Sequence, residues 1–320
     1  MGALAKDISS ISRRVISNGV ELYVEEFGDN TKPAVLFVHG YPDCHKTWSY
    51  QVESLSKYYH VITFDLRGVA KSTKPVASNG YYIDSILPDI SAVIDATKGK
   101  QGQVHLVGHD WGSVLSWHYV AEQNFQKRIL SYTSISGPHA GIFLDWMYRN
   151  IKSLNPKKIA SVAGQLRLSW YMYAMHLPGF IDYAFKNNGY KMWKRLFVIA
   201  GVDPFDSYLR ASPDEVESIT RNAADLYRQN TLRRFQPPKK MSINIPVQLI
   251  VPTQDFAIRP EIHDYVGHYV SALSTQRIVA NHWAHRTHPK TINTLIETFI
   301  NNCEIGSTCK SEKETINERH

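Results

Sequence analysis

Three positions in one order raise the question of chemistry. They are an aspartate in Gly108-His109-Asp110-Trp111-Gly112, a second aspartate at Asp255, and a histidine at His282. Glycines two residues before and two after a carboxylate give the spacing of a nucleophile elbow, in which a strained strand-to-helix turn lifts one side chain above a sheet. The apolar run Val104 to Val107 before it and the helical pattern from Gly112 to about Asn124 after it supply that context. Asp255 follows the apolar run Val247 to Val251, and His282 follows Arg277 to Ala280. A carboxylate that fixes the tautomer of a histidine makes it a general base. The set therefore reads as nucleophile Asp110, orienting acid Asp255 and base His282. An aspartate nucleophile attacks carbon and forms an ester, whereas serine at that position would point to an esterase or lipase.

His39-Gly40-Tyr41-Pro42 ends the apolar run Ala34 to Val38. A loop of this kind supplies a backbone N–H to an oxyanion, so the donors expected are the amides of Tyr41 and Trp111. Tyr41-Pro42 is a candidate cis peptide. His39 and Pro42 are expected to contact substrate. His282, His285 and His288 recur every third residue, but no carboxylate or cysteine stands at partner spacing. No metal and no other cofactor is expected.

Holding these groups together takes a sheet. Asn18-Gly19 signals a turn, and Val20 to Phe27 reads as a strand after it. Ala34 to Val38, Val61 to Phe64, Val104 to Val107 and Ile129 to Ile135 are further short apolar runs. Such runs between helical patterns imply a mostly parallel sheet covered on both faces. Residues 140–240 differ: they carry 16 of the 37 aromatics, and helical patterns dominate. Pro237-Pro238-Lys239-Lys240 reads as a linker, and strands return at Val247 and Arg277. The division expected is an α/β core over 1–139, a helical cap over 140–240, the second part of the core over 241–302 with a closing helix from Pro289 to Ile300, and a polar, frayed tail over 303–320.

The 320 residues allow two domains or one large domain with an insertion. With 43% hydrophobic and 20% charged residues, wholesale disorder is excluded. No run reaches the ~18 apolar residues of a membrane span, and Met1 to Arg14 holds no secretory leader pattern. A cytoplasmic protein is expected. Three scattered cysteines do not make a disulfide framework. The net charge is +7, and residues 140–240 hold 16 Lys and Arg against 8 Asp and Glu. All the excess positive charge therefore lies in that third. No nucleic-acid motif accompanies it, and a solvated helical surface is its ordinary reading.

The chain resembles the epoxide hydrolases of the α/β-hydrolase fold. The resemblance rests on His39-Gly40-Tyr41-Pro42, Gly108-His109-Asp110-Trp111-Gly112, Asp255 and His282-Trp283, and spans about residues 20–300. It extends to the hydrolase domains that some bacterial proteins fuse to a short-chain dehydrogenase. It implies an α/β-hydrolase fold with an inserted helical cap and a small lipophilic epoxide as partner. It also implies two cap tyrosines that protonate the leaving oxygen. Tyr171, opening Tyr171-Met172-Tyr173-Ala174-Met175-His176-Leu177-Pro178-Gly179, is similar to the first, and Tyr227 in Leu226-Tyr227-Arg228-Gln229-Asn230 to the second. Tyr173 is a neighbouring candidate for substrate contact. The segment Asp65-Leu66-Arg67-Gly68-Val69-Ala70-Lys71-Ser72 departs from the family's glycine-rich form at Ala70, which is expected to alter a loop and not the chemistry.

Two other readings stay open. A haloalkane dehalogenase shares the aspartate, the histidine and the tryptophan after the nucleophile, but it needs N–H donors for a halide where this chain has Tyr41. A ligand-binding protein on the same fold has no chemical need for Asp110, Asp255 and His282 together. The sequence leaves open whether the chain is a monomer or a homodimer.

Overall fold

A computed structural model describes residues 9–177, 179–186, 188–231 and 243–317. Its eight strands form one sheet in the order β1-β2-β4-β3-β5-β6-β7-β8. They are β1 (Ser10–Ser17), β2 (Val20–Phe27), β3 (Ala34–Val38), β4 (His60–Phe64), β5 (Val104–His109), β6 (Ile129–Ile135), β7 (Val247–Pro252) and β8 (Leu273–Ile278). β1 and β2 form an antiparallel hairpin, and β2 also runs antiparallel to β4. The remaining pairs, from β4 through β3 to β8, are parallel. The hairpin turns at Asn18 and Gly19, whose φ of 45° and 78° follow the twist of the strands they join. β1 is absent from the sequence reading because its Ser- and Arg-rich residues carry little apolar pattern; most are exposed on the sheet edge. β8 begins four residues before the expected run.

The central strands are apolar throughout because both faces are covered. Leu36 and Val38 of β3 join one core, while Val35 and Phe37, pointing the other way, join a second. The first core takes Ile86, Ile90 and Val93 from α2 (Ile83–Lys98) and Leu115 and Val120 from α3 (Trp111–Ala121). The second takes Leu55 of α1 (Ser49–Leu55) and Ile292, Ile296 and Ile300 of the last helix. That last helix runs to Asn317, well past the expected stop at Ile300. The tail is thus helical as far as Asn317, although its sequence is polar.

Between β5 and β7, α4 (Gln123–Gln126) precedes β6, and α5 to α11 follow it. These are α5 (Ala140–Lys152), α6 (Pro156–Leu168), α7 (Trp170–Ala174), α8 (Phe180–Lys186), α9 (Gly189–Ile199), α10 (Pro213–Glu217) and α11 (Ala224–Asn230). The linker signal at Pro237–Lys240 lies outside the described residues. After β8 come α12 (Ala284–Thr287) and α13 (Pro289–Asn317). Helices α5 to α11 are tied to the sheet by polar contacts. The Trp193 indole N–H donates to Pro42 O at 3.0 Å, and the Tyr208 hydroxyl donates to Asp43 at 2.8 Å. Arg286 and Asp206 form a buried ion pair. No described helix is long and apolar enough to cross a membrane.

Candidate active site

The C-terminal ends of β3, β5, β7 and β8 all open on the same side of the sheet, where open α/β sheets bind ligands. β3 and β5 are neighbours, and the chain leaves β3 toward β4 on one side and β5 toward β6 on the other. The loop at residues 39–42 and the turn at Asp110 therefore meet at a topological switch point. Asp110 adopts φ 52° and ψ −123°, a conformation L residues avoid. The turn is possible because of its glycines. A Cβ at Gly112 would run into the carbonyl oxygens of Val38 and His39, and one at Gly40 into the Asp110 side chain.

The strained turn carries the Asp110 carboxylate to the floor of a cavity. Its Oδ1 accepts the backbone N–H of Tyr41 at 2.7 Å, and its Oδ2 lies 3.5 Å from Nε2 of His282. On the other side of the ring, Nδ1 of His282 is 3.0 Å from both oxygens of Asp255. Asp255 Oδ1 also accepts the N–H groups of Ala257 at 2.7 Å and Ile258 at 3.1 Å. Burial works against charge on His282, but Asp255 and Asp110 outweigh it and hold its pKa up at about 10. Burial likewise opposes the charge on Asp255, yet the imidazolium and the two amides keep that carboxyl below its ordinary value. Trp111 is the first residue of α3, so its N–H belongs to the donors that have no intrahelical acceptor.

The roof comes from α7 and α11. Tyr171 and Tyr227 line the same cavity as Asp110 and His282. Their rings meet edge-on at 5.8 Å, and Tyr227 also stands edge-on to Tyr41 and Trp111 at 5.2 Å each. Burial pushes both phenols well above the usual tyrosine value. The Asp110 carboxylate adds to the rise in each, so both are held protonated. The cavity has a volume of about 1040 Å³, and Leu168, Met175, Phe180, Leu196 and Phe256 give it an apolar wall. Pro42 lines it too, and the Tyr41-Pro42 peptide is cis.

Two expected substrate contacts lie elsewhere. Tyr173 is 50% exposed on the outer face of α7 and does not line the cavity, because two residues along a helix turn a side chain to the opposite flank. His39 is fully buried behind the loop. Its Nε2 accepts the N–H of Leu66 at 3.0 Å, and its Nδ1 lies 2.9 Å from Gly40 O. Burial lowers its pKa to about 4. His39 thus shapes the loop as a neutral imidazole.

A polar layer beneath the site is not legible in the sequence. Asp43 accepts the indole N–H of Trp283 at 2.9 Å as well as the Tyr208 hydroxyl. Burial raises its pKa to about 6. His109, next to Asp110, lies with Nε2 3.0 Å from the backbone oxygen of His282, and burial lowers its pKa to about 3. His285 packs against His109 with ring centroids 4.4 Å apart and bonds Thr47 through Nε2. Its partners are thus core groups. Only the adjacency of Asp43 to Tyr41-Pro42 and of His109 to Asp110 could have drawn attention to the first two.

Comparison with known proteins bears on the fold and the family. The chain is 29% identical over 300 residues to a Mycobacterium tuberculosis protein named probable oxidoreductase EphD, covering 90% of this chain and 49% of that one. It therefore spans about half the length of that relative. It is 23% identical over 296 residues to human epoxide hydrolase 4, covering 90% and 77% of the two chains. The crystal structure of a Bacillus megaterium epoxide hydrolase with an inhibitor superposes with a TM-score of 0.74 at 26% identity. That match covers 90% of this chain and 100% of the other. The sequence profile of the α/β hydrolase fold matches residues 33–289. The chain belongs to the α/β hydrolase fold family.

Proposed function

We propose that this enzyme opens a lipophilic epoxide to a vicinal diol through an ester on Asp110. The observation that carries the reading is the pair of protonated phenols, Tyr171 and Tyr227, in one cavity with the Asp110 carboxylate. An epoxide between them meets a nucleophile on one side and two O–H donors on the other. The finer kinship with hydrolase domains joined to a short-chain dehydrogenase rests on the sequence resemblance; the relative matched over half its length is named an oxidoreductase.

The two oxygens of Asp110 are unequal. Oδ1 is held by the Tyr41 amide at 2.7 Å and Oδ2 faces the His282 ring at the longer 3.5 Å, so Oδ2 is the one that attacks. Its lone pair forms the C–O bond of the ester, and the epoxide C–O bond breaks. The released alkoxide takes a proton from Tyr171 or Tyr227, leaving a tyrosinate. The imidazolium of His282 returns that proton by way of solvent. His282 gives it up readily at this stage, because esterification has removed the negative charge of Asp110 that helped hold it.

Neutral His282 then takes a proton from water as the oxygen attacks Cγ of Asp110. Negative charge develops on Oδ1, against the amides of Tyr41 and Trp111. Collapse expels the diol alkoxide, which takes the proton of the new carboxyl group. Asp110 is again a carboxylate and His282 again an imidazolium. The sum is epoxide plus water to diol. A single turnover in heavy-oxygen water tests the sequence of steps. The first diol carries light oxygen drawn from Asp110, while the label enters the protein. Heavy oxygen in the first diol would mean direct attack by water, with no ester.

A further inference from the structure

The wall of the cavity reaches the surface at a few residues. Trp170 and Tyr183 both line it, yet they are 62% and 85% exposed. Arg167 and Met192 line it and are exposed as well. These four residues mark its mouth. The mouth continues outward along two helical stripes. On α7, exposed Trp170 and Tyr173 stand at i and i+3, and exposed Leu166 lies near the end of the preceding α6. On α9, exposed Met192, Arg195 and Ile199 recur at i, i+3 and i+7, opposite the buried Trp193 and Phe197. Trp170, Tyr183 and Met192 meet at one cavity, so they form a patch rather than scattered singles, and an exposed apolar patch marks an interaction site.

Along this stretch of chain the charge is nearly all of one sign, although α10, with Asp214, Glu215 and Glu217, packs against α9. From 148 to 199 the chain holds nine Lys and Arg and one acidic residue, Asp182. That carboxylate is paired with Arg221. Arg167, Lys191 and Arg195 lie among the apolar side chains on the exposed faces. Apolar and aromatic groups mixed with cations are the composition of a surface that sits in the headgroup region of an anionic bilayer. A solvated helical face has no need of the outward Trp170, Tyr183 and Ile199.

We infer that the face around the cavity mouth, formed by α6, α7 and α9, docks on an anionic phospholipid bilayer. Docking brings the mouth against the lipid phase, from which an apolar molecule enters without crossing water. The inference stands on the surface alone and holds whatever bond the cavity breaks.

The test uses the full chain with vesicles of phosphatidylcholine alone or mixed with phosphatidylglycerol. Trp170 is the exposed tryptophan of the seven, so its emission reports the mouth. The expected result is co-sedimentation and a blue shift with the mixed vesicles only, weakened by salt. The blue shift is lost in Trp170→Phe. In Lys191→Glu/Arg195→Glu the affinity falls about tenfold or more, with thermal unfolding unchanged. Ile199→Ser weakens binding by a smaller factor. No binding to mixed vesicles, or equal binding by the charge-reversed variant, overturns the inference. So does a dimer in solution that quenches the exposure of Trp170 and persists with vesicles present, since the face would then belong to a second copy.

Discussion

Nε2 of His282 stands 3.5 Å from Oδ2 of Asp110, while its Nδ1 rests on Asp255 at 3.0 Å. A base between two carboxylates is charged at rest, and its charge depends on both. The resting value near 10 is raised from 6.5. The linked stability is therefore fully present below pH 6.5 and is lost as pH climbs through about 10. Asp110→Asn removes one carboxylate, as esterification does. We expect the imidazole of His282, followed by NMR titration, to deprotonate at lower pH in Asp110→Asn than in the native protein. The variant should also lose less stability between neutral pH and pH 10. An unchanged titration would mean that Asp110 does not govern the base.

The paired phenols make a graded prediction. Tyr171→Phe and Tyr227→Phe each leave one O–H donor facing the cavity, and the double variant leaves neither. General acid assistance contributes ~10²–10⁴-fold in rate. The double variant should lose a factor in that range in the rate of ester formation, measured by rapid quench, and each single variant should lose less. Equal losses in one single variant and in the double would assign donation to one tyrosine.

Ala70 bears on stability. Its φ of 44° puts an L residue in the left-handed region, where the Cβ costs roughly 1–2 kcal/mol. Glycine relieves this but adds about 0.4–1 kcal/mol of unfolded-state entropy. Ala70→Gly should therefore stabilise the protein by up to about 1.5 kcal/mol in urea unfolding, with turnover unchanged. A loss of stability would mean that the methyl group, which packs against the core, matters more than the strain.

Asp110, Asp255 and His282 were legible for a physical reason. Each follows an apolar run that ends at the same edge of a parallel sheet, so position along the chain translates into position in space. Tyr171 and Tyr227 were not readable that way. Both lie in helices with many aromatics, and only the resemblance to a family singled them out; the cavity then brings them to Asp110. The same resemblance says nothing of which face of α7 looks inward, and Tyr173 falls outside for that reason. His39 carries the right type in the right loop, but its ring turns back to Leu66. The buried Arg286–Asp206 pair joins residues 80 positions apart, a separation that no local pattern encodes. The run of α13 to Asn317 is likewise hidden, since a polar helix end has no apolar stripe to mark it.

The central claim is that Asp110 forms a covalent ester which His282 hydrolyses. It is tested most directly by intact-protein mass spectrometry of His282→Gln after incubation with a lipophilic epoxide and, separately, with a haloalkane. The account predicts a gain equal to the whole epoxide, because ring opening expels nothing, and its disappearance when Asp110→Asn is added. A gain seen only with the haloalkane, equal to its alkyl group, would contradict the epoxide reading in favour of dehalogenation. No adduct with any substrate that the native protein turns over would contradict the ester itself.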